Sequence, residues 1–263
     1  DDKKLILFGS GRFTERFLFE FAGDYSIYSI VDNNSAKWGT TMAGIPVNSP
    51  DILREIPESE RHIIICIKGY NGVVNQLKDM GITDYHIYDP GNDYPNKSKE
   101  HVAQSLAQTG DSGLKESDID KPYNVGYIAG VFDLFHVGHL NMFKRAKEQC
   151  RYLIVGVVSD EGVRLNKQAE PFVPFEERIE MVRSCRYVDE AVKLPLNFAG
   201  TRDMFKKYHF DVQFSGSDYE HDPAWLSEKE FLEKNGATMV FFPYTQSTSS
   251  TKLKKAIEGR INN

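Results

Sequence analysis

Two histidines, His136 and His139, stand with only Val137 and Gly138 between them at a junction in the sequence. Before them, Tyr127 to Val131 is an apolar run of the kind that forms a buried strand. After them, Leu140, Phe143, Ala146 and Cys150 recur at helical spacing, with Lys144, Arg145, Lys147 and Glu148 on the wet side. The pair therefore sits where a strand ends and a helix begins. Free backbone N–H groups and the positive end of a helix dipole gather at such a point and attract anions, phosphates above all. An imidazole adds a hydrogen-bond donor whose charge is tunable near neutral pH. This arrangement suits the binding of a phosphate-bearing group. The plainer alternative is two structural histidines that cap a helix or fill a core.

The elements around the pair follow an alternating order. Tyr152 to Val158 is a fully apolar, β-branched run that predicts a strand buried on both faces, ended by Ser159-Asp-Glu161. A loop carrying Lys167 is expected next, then a helix from Phe175 to Cys185 opened by Pro174. Strands are predicted at Val188–Leu194, Asp211–Phe214 and Thr238–Phe242, with helices at Thr201–Tyr208, Trp225–Asn235 and Ser249–Glu258. Strands alternating with helices imply a parallel sheet covered on both faces, with ligands bound beyond the carboxyl ends of the strands. Each polar cluster falls at such an end: Asp133 to His139, Lys167, Gly216 to Asp218, and the hydroxyl run Thr245 to Thr251.

An earlier segment repeats the pattern. Lys4–Phe8 is a short strand followed by Gly9-Ser-Gly11 and an amphipathic helix, and Tyr28–Asp32 is a second strand ending in an acid. His62–Ile67 and Asp84–Tyr88 are further strands, and Gly72–Met80 is a helix. The glycine turn and the acid about 20 residues on match a dinucleotide-binding fingerprint, so Gly9, Gly11 and Asp32 form a candidate site for a nucleotide-like ligand. Thr14 stands where the third small residue of that fingerprint belongs, and a sharp turn needs glycines with or without a ligand. The expected fold class is α/β, with two doubly wound, parallel-sheet Rossmann-like domains. Residues 1–92 form an accessory domain, a polar Gly, Ser, Asp and Pro stretch at 93–122 is a linker with a short helix near His101–Gln108, and 123–263 form the second domain.

The formal charge of -6, from 32 basic and 38 acidic residues, gives no reason to expect nucleic acid or an anionic membrane as a partner. No stretch approaches the roughly 20 apolar residues of a membrane span, and no signal peptide opens the sequence. Cys66, Cys150 and Cys185 lie far apart in apolar or amphipathic segments, as core residues of a reducing compartment rather than a disulfide or metal set. The expected location is the cytoplasm.

The stretch Gly130-Val-Phe-Asp-Leu-Phe-His-Val-Gly-His139 resembles the HxGH signature of nucleotidyltransferases, and most of all the cytidylyltransferases of glycerol 3-phosphate, choline phosphate and ethanolamine phosphate. The resemblance continues through Tyr152–Glu161, the Glu177-Arg178 pair, Cys185-Arg-Tyr-Val-Asp-Glu190 and the Gly216-Ser-Asp218 turn. It implies CTP with Mg²⁺ and a small phospho-alcohol as substrates, and a homodimer. It assigns catalysis to His136, His139 and Lys167, and nucleotide binding to Val131, Phe132, Asp133, Arg178, Gly216, Asp218, Thr245, Ser249, Ser250 and Thr251. Asp133 is read as fixing the turn rather than ligating metal. One block departs: where relatives carry an arginine and a glycine before the final helix, Tyr244 and Ser247 stand here, leaving another cation such as Lys252 to serve the triphosphate.

The implied reaction joins the acceptor's phosphate to the α-phosphate of CTP. A phosphate monoester has a second pKa of about 6, so it is already an anion at neutral pH and needs no strong base. The protein's task is to align two anions and neutralise charge. The acceptor is open among glycerol, choline, ethanolamine, ribitol and phosphonate compounds. The reading leans to glycerol 3-phosphate and cell-surface polysaccharide assembly. Tyr219, Trp225, Phe198 and Tyr244 are candidates for a choline cage. Four other classes compete: an ATP-dependent adenylyltransferase, a class I aminoacyl-tRNA synthetase (though no Lys-Met-Ser-Lys-Ser loop is present), a non-catalytic nucleotide-binding protein and an NAD-dependent oxidoreductase acting through the first domain.

Overall fold

The computed structural model describes residues 3–111, 120–194, 200–243 and 250–261. The chain divides into two compact units, Asp1–Lys97 and Ser98–Asn263.

The first unit comprises β1 (Lys4–Phe8), α1 (Arg12–Phe21), β2 (Ile27–Val31), β3 (Thr41–Met42), β4 (Ile45–Asn48), α2 (Ile52–Glu55), β5 (Arg61–Ile65), α3 (Asn71–Asp79) and β6 (His86–Ile87). Its sheet runs β3-β4-β2-β1-β5-β6. Every pairing is parallel except β3 with β4, so the expected parallel sheet carries an antiparallel edge. Alternate residues of the central strands serve opposite faces: Ile6, Phe8, Ile63 and Ile65 pack in one apolar cluster, Leu5, Leu7 and Ile30 in another. The β3–β4 hairpin is absent from the sequence-based expectation. Its two-residue loop, Ala43-Gly44, has φ of 51° and 79°, and an alanine in the first position hides the usual Asn-Gly or Asp-Gly signal. Thr14, fully buried, donates its hydroxyl to the Gly9 carbonyl at 2.6 Å and so pins the turn where a small residue was expected.

Helix α4 (Lys97–Asp111) lies in the stretch expected to be a linker. It is no loose connector: Val102 is buried, and the Ser98 and Ser105 side chains hydrogen-bond to the phenols of Tyr208 and Tyr152.

The second unit continues with β7 (Tyr123–Gly130), α5 (Val137–Lys147), β8 (Cys150–Val158), α6 (Asp160–Lys167), α7 (Phe175–Arg183), β9 (Glu190–Leu194), α8 (Gly200–Tyr208), β10 (Val212–Gly216), α9 (Pro223–Lys234), β11 (Thr238–Phe242) and α10 (Ser250–Ile261). All pairings in its sheet, β11-β10-β7-β8-β9, are parallel. Counted from β7, this is the 3-2-1-4-5 order of a doubly wound fold, and the order reverses between β7 and β10. One face packs Ile128, Leu153, Val155, Val157, Val212 and Phe214 against Phe143 of α5 and Ile179 of α7. On the other, Tyr127 stacks on Phe210, which meets Phe205 of α8. Lys167 ends a helix, not the expected loop. Ser159 accepts from the Gly162 N–H at 3.1 Å, and Asp160 and Glu161 occupy the favourable first turn of α6. Cys66 and Cys150 are buried and Cys185 half-buried, none in a disulfide.

Candidate active site

Between the end of β7 and the start of α5 the chain makes a strained turn. Phe132 and Leu134 have φ of 54° and 48°, left-handed values that cost a non-glycine residue on the order of 1 kcal/mol. Gly130 makes room for the fold-back, since a Cβ there would lie 2.7 Å from the Phe132 ring. Asp133, only 3% exposed, holds the turn from behind. Its carboxylate accepts from the Phe172 and Val173 N–H groups, both at 3.0 Å, and pairs with Lys254 at 2.8 Å. Burial alone would raise its pKa, but Lys254 and the two N–H groups outweigh that and hold the carboxyl below its usual range.

That turn delivers His136 to the N-cap of α5, where Nδ1 accepts from the Gly138 N–H at 3.0 Å. An Nδ1 used as acceptor carries no proton, so the neutral ring carries its hydrogen on Nε2. Nε2 lies 3.3 Å from Ser250 Oγ, which donates in turn to the Asp133 carbonyl at 2.9 Å. The His139 ring stacks on His136, centroids 3.9 Å apart, with its other sides against Phe132 and Phe135. Burial first, and then the neighbouring His136, push its pKa down to about 3. Burial also lowers that of His136. Both rings are therefore neutral at pH 7. Nδ1 of His139 is buried with no partner among the described residues, and a stranded lone pair is cheaper than a stranded N–H. The Nε2–H tautomer follows for His139 as well.

Both histidines line a cleft of about 390 Å³ at the reversal between β7 and β10. Val131, Phe132, Lys167, Gly216, Asp218 and Ser250 join them there, so eight of the residues singled out in the sequence converge. The stacked rings of Tyr219 and Trp225, 4.6 Å apart, form part of the wall. Asp133 is not in the lining; it supports the turn. Thr245 and Ser249 lie outside the described residues, as do Phe198, Tyr244, Ser247 and the side chain of Thr251.

Arg178 is the clear departure. The sequence reading gave it a phosphate, but its side chain is 1% exposed and turned into the fold. It donates to the Val173 carbonyl at 2.9 Å and to the Val131 carbonyl, and pairs with Asp160 at 2.6 Å. It braces the floor of the cleft and contacts nothing in it. Arg145, by contrast, was assigned to the wet side of its helix but lines the cleft and donates to the Pro243 carbonyl at 3.0 Å. Its signal was its spacing: His139, Met142 and Arg145 recur every three residues, and all three reach the cleft.

In the first unit the structure gathers Gly9, Gly11 and Asp32 around Ser10. Gly9 has φ of 103°, and a Cβ there would lie 2.5 Å from Ile67. Asp32 accepts from the backbone and hydroxyl of Ser10 and from the Asn34 N–H at 2.8 Å, and Lys37 approaches to 3.5 Å. Burial would raise its pKa, but these partners more than offset it and the carboxyl stays below its usual range. The acid expected to grip a ribose is thus already satisfied by its own turn.

Among the described residues no cluster of three His, Cys, Asp or Glu side chains could hold a metal ion. Asp218 is the one carboxylate among the described residues of the cleft lining. These residues build no cage for a resident metal. A Mg²⁺ ion carried on a nucleotide would be held largely through water and phosphate oxygens and would ask for few protein carboxylates.

Residues 127–256 match a protein family described as cytidylyltransferase-like. The chain is 39% identical over 135 residues to an FAD synthase of Thermococcus kodakarensis, covering 50% of this chain and 87% of that protein. It is 33% identical over 130 residues to the glycerol-3-phosphate cytidylyltransferase of Bacillus subtilis, covering 49% and 94%. With the ethanolamine-phosphate cytidylyltransferase of Dictyostelium discoideum it shares 44% identity over 93 residues, covering 35% and 26%.

Proposed function

This chain belongs to the cytidylyltransferase-like family and is a nucleotidyltransferase, and on that premise we propose that it transfers CMP from CTP to a phospho-alcohol. The carrying observation is the pair of neutral, stacked histidines at the start of α5, in one cleft with Lys167 and Arg145. The acceptor's phosphate oxygen attacks the α-phosphorus. One P–O bond forms, the bond to the bridging β-phosphate oxygen breaks, and pyrophosphate leaves with the electron pair. His136 and His139 donate Nε2–H hydrogen bonds to oxygens on which negative charge grows. Lys167, at the end of α6, supplies a cation on a flexible stem, and Arg145 a planar fork. The N-termini of α5 and α10 add their dipoles. The chain needs no nucleophile of its own, because the acceptor already carries one.

Glycerol 3-phosphate is the favoured acceptor, with Mg²⁺ arriving on CTP, a homodimer as the working assembly and cell-surface polysaccharide as the destination. The similarity to an FAD synthase supports a second reading, the same transfer from ATP to FMN. Pyrophosphate release with each of the four NTPs, against phospho-alcohols and FMN, separates the two. Release with CTP and a phospho-alcohol is expected. Release only with ATP and FMN would establish the second reading, and no release with any pair would overturn both.

A further inference from the structure

A second cavity of about 250 Å³ lies between the sheet and helices α8 and α9. Thr201, Arg202, Gln213, Ala224 and Glu228 line it, and Ala129 and Trp225 line both it and the main cleft. The side cavity therefore adjoins the proposed site of chemistry and shares part of its wall with it.

Gln213 is its unusual member. It sits in β10 between Val212 and Phe214, which pack into the core on the α5 and α7 face, so Gln213 points to the opposite face. A strand covered on both faces is ordinarily apolar throughout. Here a carboxamide is 1% exposed, and its Oε1 has no hydrogen-bond partner among the described residues. A buried polar atom left unpaired is a standing cost that a ligand can remove on binding.

The surroundings narrow what that ligand is. A carboxamide can both accept and donate, and so can a hydroxyl. A trimethylammonium group does neither. It asks for an aromatic cage, and Trp225 is the one aromatic side chain in the described lining. A primary ammonium would look to Glu228, but that carboxylate is already taken by Arg202, whose Nε lies 3.0 and 3.2 Å from its two oxygens. The pocket thus offers a neutral, hydrogen-bonding interior behind a self-neutralised rim.

We infer that this side pocket receives the alcohol portion of the acceptor and that Gln213 selects a neutral, hydroxyl-bearing one, a polyol phosphate. The inference rests on the reading of the main cleft as a site of cytidylyl transfer. Gln213 is a specificity-determining residue that takes no part in the bond-making step.

Steady-state kinetics on the full chain with CTP and Mg²⁺ test it, using glycerol 3-phosphate, ribitol 5-phosphate, phosphoethanolamine and phosphocholine as acceptors. The wild type should prefer a polyol phosphate. Gln213→Leu should raise that acceptor's KM by about tenfold or more, as loss of a hydrogen bond to a substrate hydroxyl does. The KM for CTP should stay within about twofold, because the nucleotide's site is untouched. Ala224→Phe, which fills the pocket from an exposed helix end, should do the same and carries the test if Gln213→Leu does not fold. A wild type that prefers phosphocholine or phosphoethanolamine would overturn the inference. So would a Gln213→Leu enzyme with unchanged kinetics and a higher Tm, which would mark a structural amide bridged by water. Failure of the wild type to release pyrophosphate from CTP with any acceptor would instead sink the transferase reading beneath it.

Discussion

At the scale of single residues, the account turns on two histidines kept neutral by burial. His139 has an ordinary pKa of 6.5 and is pushed down to about 3 in the fold. Between those values the unfolded chain binds a proton that the folded one refuses. Stability from this group is therefore complete above pH 6.5 and falls away as the pH drops towards 3. Thermal unfolding of wild type and His139→Gln across pH 7 to 4 should show a steeper acid loss in the wild type, and parallel curves would refute the burial argument. Cleft cations should affect catalysis rather than stability. Arg145→Met and Lys167→Met should each raise the KM for CTP by about tenfold or more, with little change in Tm, because each removes a charge contact to phosphate. The histidine pair could be found in the sequence because its spacing carries the reason for it. The roles of Arg145 and Arg178 could not be separated there. Both are arginines on amphipathic helices, and only packing decides that one opens to the cleft while the other is swallowed by two carbonyls and Asp160.

At the scale of elements, the β7–α5 turn is held in a conformation its residues resist, and its braces are testable. Replacing Arg178 by Met leaves the Val173 and Val131 carbonyls without their donor inside the fold and takes the cation from half-buried Asp160. A buried acceptor left without its donor costs about 1–3 kcal/mol. Tm should fall steeply, while the KM for CTP of the enzyme that stays folded shifts only a few-fold. An unchanged Tm with a hundredfold weaker CTP interaction would return Arg178 to the phosphates. Asp133→Asn should also lower Tm, because a carboxamide cannot accept from two N–H groups and also neutralise Lys254. The long apolar strands β7 and β8 and the helices α5 and α7 were legible from periodicity and from Pro174. Helix α6 was not, because Ser159-Asp-Glu161 reads equally as a strand's polar end and as a helix cap. Helix α4 was legible only in part, as a short helix near His101–Gln108 where the structure runs one from Lys97 to Asp111, and for another reason. Its composition is that of a linker, and its order shows in buried Val102 and in the hydrogen bonds of Ser98 and Ser105 to Tyr208 and Tyr152.

At the scale of the whole molecule, two units of like strand order have unlike chemistry at the equivalent place. In the first, Asp32 is satisfied by Ser10, Asn34 and Lys37. In the second, two imidazoles and two cations face an open cleft with Asp218 as the one described carboxylate in its lining. The chain as a whole carries a formal charge of -6, yet the field that a nucleotide meets in the cleft is locally positive. Sequence composition alone could not predict that sign, which depends on which charges the fold brings together. Among the described residues no helix is long and apolar enough to cross a membrane. The central claim is that neutral His136 and His139 stabilise the charge that develops during cytidylyl transfer. The most direct measurement is pyrophosphate release from CTP and Mg²⁺ with glycerol 3-phosphate, comparing wild type with His139→Ala. The account predicts release by the wild type and a kcat reduced by about a hundredfold or more in the variant. A His139→Ala enzyme that keeps the wild-type kcat would contradict it.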